Sequence, residues 1–225
     1  DKILKNILYK ENHFLREEKE KELFILDLMT PYFDEKMNDV KYLSCGVTAK
    51  IFKSEIIKNN NIYFQENCRF GEDVIFNLYC FQHAKKISYI NADTYHFCVN
   101  NDSSTHKFRN DWIDSHIIFM NCIDDFIRFY DKDERFQECS EMMKVTRISS
   151  LAVSYFFHKN NPSNFIESYK IFLIFIKNDE YNEAVKKVKN YLLTSNQKKI
   201  VFLLRNHMSL LFAIICYIRN CIRKV

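Results

Sequence analysis

Two adjacent carboxylates, Glu72 and Asp73, follow a glycine in the stretch Arg69-Phe70-Gly71-Glu72-Asp73, and Gly71 is one of only two glycines among 225 residues. A carboxylate held at such a turn can take the proton from a hydroxyl as that hydroxyl attacks an electrophile, provided it lies within hydrogen-bond reach. The same pair is also what a helix start favours, because the unpaired N–H groups and the macrodipole of a first turn present positive charge to acidic side chains. From Val74 to Ala84 the apolar residues Val74, Ile75, Leu78, Tyr79, Phe81 and Ala84 recur at helical spacing, which places Glu72 and Asp73 in that first turn. On residue types alone, proton transfer and helix stabilisation both remain open.

The elements that must position this pair belong to a chain rich in apolar residues. Hydrophobic residues make up 47% and aromatic residues 16%, ample for a packed core in one large domain or two small ones. Two glycines and two prolines are far below average usage, which predicts long helices and few tight turns. The eight cysteines, Cys45, Cys68, Cys80, Cys98, Cys122, Cys139, Cys216 and Cys221, show no C-x-x-C pairing, and most sit among apolar neighbours. They read as reduced core thiols of a cytoplasmic protein, with neither a zinc site nor a disulfide framework. The net charge of +4 conceals an asymmetry: residues 184–225 hold nine Lys or Arg and no Asp or Glu, leaving 24 basic against 29 acidic residues elsewhere. That end suits an anionic surface.

In chain order, residues 1–9 read as a short helix, the charged run 16–22 as a solvated face or loop, and 23–29 as helix closed by Pro31. Residues 42–52 read as an extended segment bent at Gly46, followed by a short helix from Ser54 or Glu55 to Lys58, which Asn59-Asn60-Asn61 ends. Ile62-Tyr63-Phe64 reads as a short strand, as do 86–90 and 94–98, and 100–106 as a polar loop. From Asp111 onward the pattern is helical: a helix capped by Asp111, a second over 133–157, a third started by Asn161-Pro162 and running through Phe175, a fourth over 180–193 and a fifth over 197–223. The apolar run 208–218 in the last is about half a bilayer crossing, so a membrane span is not expected; a basic helix of this kind either packs on the helical region or lies in a membrane interface.

Taken together, Ala49-Lys50-Ile51-Phe52-Lys53, Ile62-Tyr63-Phe64, Gly71-Glu72-Asp73-Val74-Ile75-Phe76, Ile87-Ser88-Tyr89-Ile90, Tyr95-His96-Phe97 and Ser103-Ser104-Thr105 resemble, in order and spacing, the second half of bacterial family 2 glycosyltransferases. The likeness covers residues 42–108. It implies an α/β, helix-rich chain: a partial GT-A type glycosyltransferase domain over 1–108 and an all-α region over 109–225 ending in a basic tail helix. The implied activity is inverting transfer from a nucleotide-sugar donor to a growing, lipid-linked glycan in polysaccharide or capsule biosynthesis. On this resemblance Asp73 maps to the general base, Glu72 and Gly71 to acceptor placement, Lys50 to a phosphate contact and Ser104 to a substrate contact. His106, or His96, maps to a ligand of a divalent cation, Mg or Mn, beside the donor diphosphate.

The chain departs from the family in lacking the strand-rich nucleotide-binding half and its Asp-x-Asp motif. Asp124-Asp125 falls inside a predicted amphipathic helix, and Asp131-Lys132-Asp133 in a late interhelical turn. The expectation is therefore an acceptor-side half that is inactive in isolation. It would be cytoplasmic, with peripheral contact to the inner membrane face through the tail helix. The competing reading is a non-catalytic helical module that binds a membrane or a partner. Nucleic-acid binding is not expected, because the basic residues interleave with aliphatics in place of exposed stacking aromatics.

Overall fold

The computed structural model describes residues 11–29, 46–92 and 108–222. Helix accounts for 67% of these residues and the only strands among them are two short antiparallel ones. The described residues fall into two compact units, one taking the chain up to Cys98 together with Asn121–Cys139, the other Val99–Met120 with Ser140–Val225. The expected elements over 1–9 and 94–98 and the loop over 100–106 lie outside the described residues.

In the first unit, strand β1 (His13–Leu15) pairs with β2 (Ile87–Tyr89), Leu15 opposite Ile87. Helix α1 (Glu18–Met29) packs on α3 (Glu72–His83), with Phe24 edge-on to Phe81 at 5.0 Å between ring centroids. The charged run expected to be solvated is instead the start of α1, and Lys21 is buried. Its ammonium donates to the Ala84 carbonyl at 3.3 Å and pairs with Glu18 at 2.5 Å. The cation thus meets orphan carbonyl charge at the C-terminal end of α3. Glu22, half-buried, is held by Lys132 at 3.7 Å and Arg135 at 3.2 Å.

Helix α2 (Ser54–Asn59) forms where expected and ends at the asparagine cluster. Asn61 takes a left-handed φ of 49°, its N–H donating to Lys58 O and that of Ile62 to Ile57 O, the paired reverse bonds of a Schellman cap. This is why 62–64 is not a strand: the Ile62 amide closes α2, and its side chain is buried with Phe76 and Cys80.

The second unit holds the first half of α4 (Trp112–Phe129) and most of α5 (Glu134–Leu151), which widens into a π-helical turn (Ala152–Phe156). Then follow α6 (Phe165–Lys177), α7 (Asp179–Lys187), a 3-10 turn (Asn190–Leu192), α8 (Ser195–Arg205) and α9 (Ser209–Ile222). Phe119, Val145, Ile148, Leu151, Phe156 and Phe172 are fully buried in its core.

Three expected boundaries shift here. Helix α6 starts at Phe165, because Asn164 and Glu167 form a reciprocal capping box, while Asn161 donates to the Tyr155 and Phe156 carbonyls at the end of the previous helix. The fourth helix stops at Lys187, where Arg205 donates to the carbonyls of Val185, Lys186 and Val188 at 2.8–2.9 Å and ends the ladder. The fifth divides in two, since His207 adopts φ 56° and the Met208 N–H donates to Leu203 O at 2.8 Å. Among the described residues no helix is long and apolar enough to cross a membrane.

Candidate functional site

Gly71 stands at the N-cap of α3 with φ 80° and ψ 10°, a left-handed conformation that a Cβ would disfavour. The chain therefore reverses into the helix at that point, and Glu72 and Asp73 form its first turn as the sequence predicts. Both are half-buried, while Val74 through Leu78 are buried behind them. Asp73 Oδ1 accepts from the Val74 N–H at 2.8 Å, a local bond that sets the carboxylate's orientation. The apolar anchor of the turn is Phe76, which Phe64 stacks at 4.4 Å and Phe52 meets edge-on at 5.4 Å.

Lys50 reaches the same neighbourhood through a shared acceptor. The carbonyl of Gly46 accepts from the Lys50 ammonium and from Asn77 Nδ2 at 3.3 Å, and Asn77 lies one turn along α3 from Asp73. The structure thus draws together Gly71, Glu72, Asp73 and the loop carrying Lys50, with the ammonium turned onto its own loop. Ser104, His106 and His96 lie outside the described residues.

Sequence reasoning missed Cys68. Its thiol donates to Phe70 O at 3.2 Å within the turn before Gly71, and its amide donates to Gln65 O at 3.4 Å. Burial pushes that thiol up to about 11 against the lowering by its bond to Phe70 O, with Cys122, Glu72 and Asp73 adding to the rise, which favours the protonated thiol at neutral pH. Its place three residues before Gly71 was visible in the sequence, but its role in shaping the turn was not.

A groove of about 550 Å³ runs along the first unit, lined by Tyr63, Tyr79, His83, Asp125, Phe129 and Tyr130 among others. His83 Nε2 and the Tyr130 hydroxyl lie 2.7 Å apart across it, and burial lowers the His83 pKa, favouring the neutral ring. Neither Glu72 nor Asp73 lines this groove; Ile75, two residues further along α3, does.

Asp131 and Asp133, the only residues spaced as Asp-x-Asp, do structural work. Asp131 closes α4 with φ 46°, and Asp133 accepts from the Arg135 amide at 3.0 Å and guanidinium at 2.6 Å at the start of α5. Those bonds hold the Asp133 carboxyl below its usual range, the Arg135 side chain contributing most. Among the described residues no group of three or more His, Cys, Asp or Glu side chains is placed to hold a metal ion. No protein-family model, curated protein or solved structure matches this chain.

Proposed function

We propose that this chain is the acceptor-side half of an inverting glycosyltransferase, with Asp73 as the general base. The observation that carries the reading is the left-handed Gly71 turn, which delivers a half-buried carboxylate to the open end of a helix whose other face is locked into an aromatic cluster. A base must be held rigidly yet reach a solvent-accessible hydroxyl. Glu72 and Gly71 then position the acceptor, and Lys50 and Ser104 contact donor phosphate or substrate. The family resemblance, over residues 42–108, supplies the substrate class: a nucleotide-sugar donor and a lipid-linked glycan acceptor at the cytoplasmic face of the membrane.

A divalent cation, Mg or Mn, follows from the same resemblance. The described residues supply no three-ligand cluster for it. His106, or His96, would be a ligand by that resemblance; the Asp73 carboxylate accepts the acceptor's hydroxyl proton as the oxygen attacks the anomeric carbon and the donor's nucleotide diphosphate leaves.

The test joins this chain to whatever open frame precedes Asp1 in its gene and measures sugar transfer from a panel of nucleotide-sugars. Asp73→Asn is expected to lower turnover by roughly 100-fold or more with an unchanged melting temperature, in line with the size of general-base contributions. Transfer that survives the substitution would remove Asp73 from the mechanism. A non-catalytic binding module, the second reading, predicts no transfer by any extended form.

A further inference from the structure

Helix α9 is apolar on its outward side as well as on its inward one. Phe212, Ala213, Cys216 and Asn220 face the protein, and α9 is fixed there by Asn220, whose amide donates to Val153 O at 2.9 Å and Phe157 O at 2.7 Å. A second fixing point is the Tyr169–Ser209 hydroxyl pair at 3.0 Å, and the Phe165 and Tyr217 rings meet at 5.2 Å. At 100° per residue, the side turned away from these contacts carries Leu211, Ile214, Ile215, Ile218 and Ile222, all exposed, with Leu210 and Tyr217 exposed on its flank. Ile166 and Ile174 on the adjoining α6 are 65% and 73% exposed, and Phe202 on the adjoining α8 is exposed as well.

An apolar face of this extent marks an interaction surface. Its composition is branched aliphatic, where protein–protein contact centres favour Tyr, Trp, Met and Arg and make little use of Leu. Its surroundings are cationic: Arg219 is exposed on α9, Lys198 and Lys199 on α8, and Lys170 and Lys177 on α6. No acidic residue occurs from 184 to 225, the one acid of α6, Glu167, is engaged in its capping box, and of the acids on the neighbouring α7, Asp179, Glu180 and Glu183, Glu180 is paired with Lys144 and Glu183 with Lys186 and Lys187. Over its described 14 residues α9 runs roughly 21 Å, against a hydrocarbon core of roughly 30 Å, and among the described residues no helix is long and apolar enough to cross a membrane.

We propose that the outward face of α9, continued by Ile166 and Ile174 of α6, seats in the interface of an anionic lipid bilayer, its aliphatic side chains among the acyl chains and the surrounding lysines and Arg219 against lipid phosphates. This rests on the second unit alone and stands whether or not Asp73 is a base, because lipid binding is measured without any transfer assay.

The experiment is co-sedimentation of the full chain with vesicles of equimolar phosphatidylcholine and phosphatidylglycerol, and with vesicles of phosphatidylcholine alone. Binding to the anionic vesicles only, weakened by salt, is expected. The double variant Ile214→Glu/Ile218→Glu, at exposed positions, is expected to lower the bound fraction roughly tenfold with an unchanged melting temperature. Lys198→Glu/Lys199→Glu is expected to weaken anionic binding by several-fold. Equal binding to both vesicle types would overturn the anionic assignment. Absence of vesicle binding, with self-association in the ultracentrifuge that the double Glu variant abolishes, would assign the face to a second copy of this chain and overturn the lipid proposal.

Discussion

Phe64 lies face to face on Phe76, with ring centroids 4.4 Å apart and planes within 4° of parallel. Phe76 is three residues past Asp73 on α3, so the loop after α2 clamps the first turn of the helix that carries the acidic pair. Phe76→Ala should lower stability by about 3 kcal/mol, since it removes a buried ring and leaves a cavity beside Ile62 and Cys80. Phe64→Ala, whose ring is half exposed, should remove about 1 kcal/mol. Urea denaturation of the two variants checks the ranking; equal losses would mean that the stack does not organise the turn.

His116 supplies a pH dependence. It is buried on α4, its Nδ1–H donates to the Trp112 carbonyl at 2.8 Å, and burial, with the Arg147 guanidinium adding, holds its pKa down at about 3. Because the folded state refuses a proton that the unfolded chain accepts near pH 6.5, the unfolded state binds more protons between those values. His116 therefore contributes no loss of stability above pH 6.5, and stability falls as pH drops from 6.5 towards 3. At ~1.4 kcal/mol per unit the total reaches ~5 kcal/mol. His116→Gln should flatten the melting temperature against pH over that window; an unchanged slope would show that other groups govern acid unfolding.

Asn220 joins α9 to the carbonyls of Val153 and Phe157, at the π-helical turn where the α5 ladder widens. Asn220→Ala leaves two acceptors at that turn without this donor and should destabilise the second unit by about 2 kcal/mol. Hydrogen exchange should show α9 losing protection before α6 does. Uniform loss across both helices would instead mean that Asn220 contributes to the core as a whole.

The parts of this fold legible in sequence are those governed by local rules. Gly71, the acidic first turn and the apolar spacing of α3 needed no knowledge of the remaining chain, and the long helices after Asp111 were visible in periodicity. The Asn164-x-x-Glu167 and Thr194-x-x-Gln197 capping boxes carry a local signal too, which would have set the starts of α6 and α8. Other features depend on distant partners. Lys21 is buried because the Ala84 carbonyl lies 63 positions away, α7 stops because Arg205 arrives from α8, and Asn220 reads as one polar residue in an apolar helix until Val153 is beside it. For the candidate site, the turn was readable, whereas the sharing of Gly46 O by Lys50 and Asn77 needed the folded chain.

The scarcity of glycine shows at the helix ends, of which only the break at His207 was not expected, and leads to a test. Helices commonly close with a left-handed residue, usually glycine, but here Asn61, Asp131 and His207 take that position with φ of 49°, 46° and 56°. In each case the following amide donates five residues back, to Ile57, Ile127 and Leu203. A histidine has no local hydrogen-bonding advantage in that region comparable to that of Asn or Asp, so its Cβ is held there at a cost of about 1 kcal/mol. His207→Gly should therefore raise stability by up to about 1 kcal/mol, offset in part by the greater freedom of glycine in the unfolded chain, whereas Gly71→Ala should lower it by about 1 kcal/mol. Asn61→Gly should change little. Thermal melts of the three variants give the order; a destabilised His207→Gly would mean that the imidazole makes a contact worth more than the strain, and that the break between α8 and α9 is set by the side chain, with backbone geometry secondary.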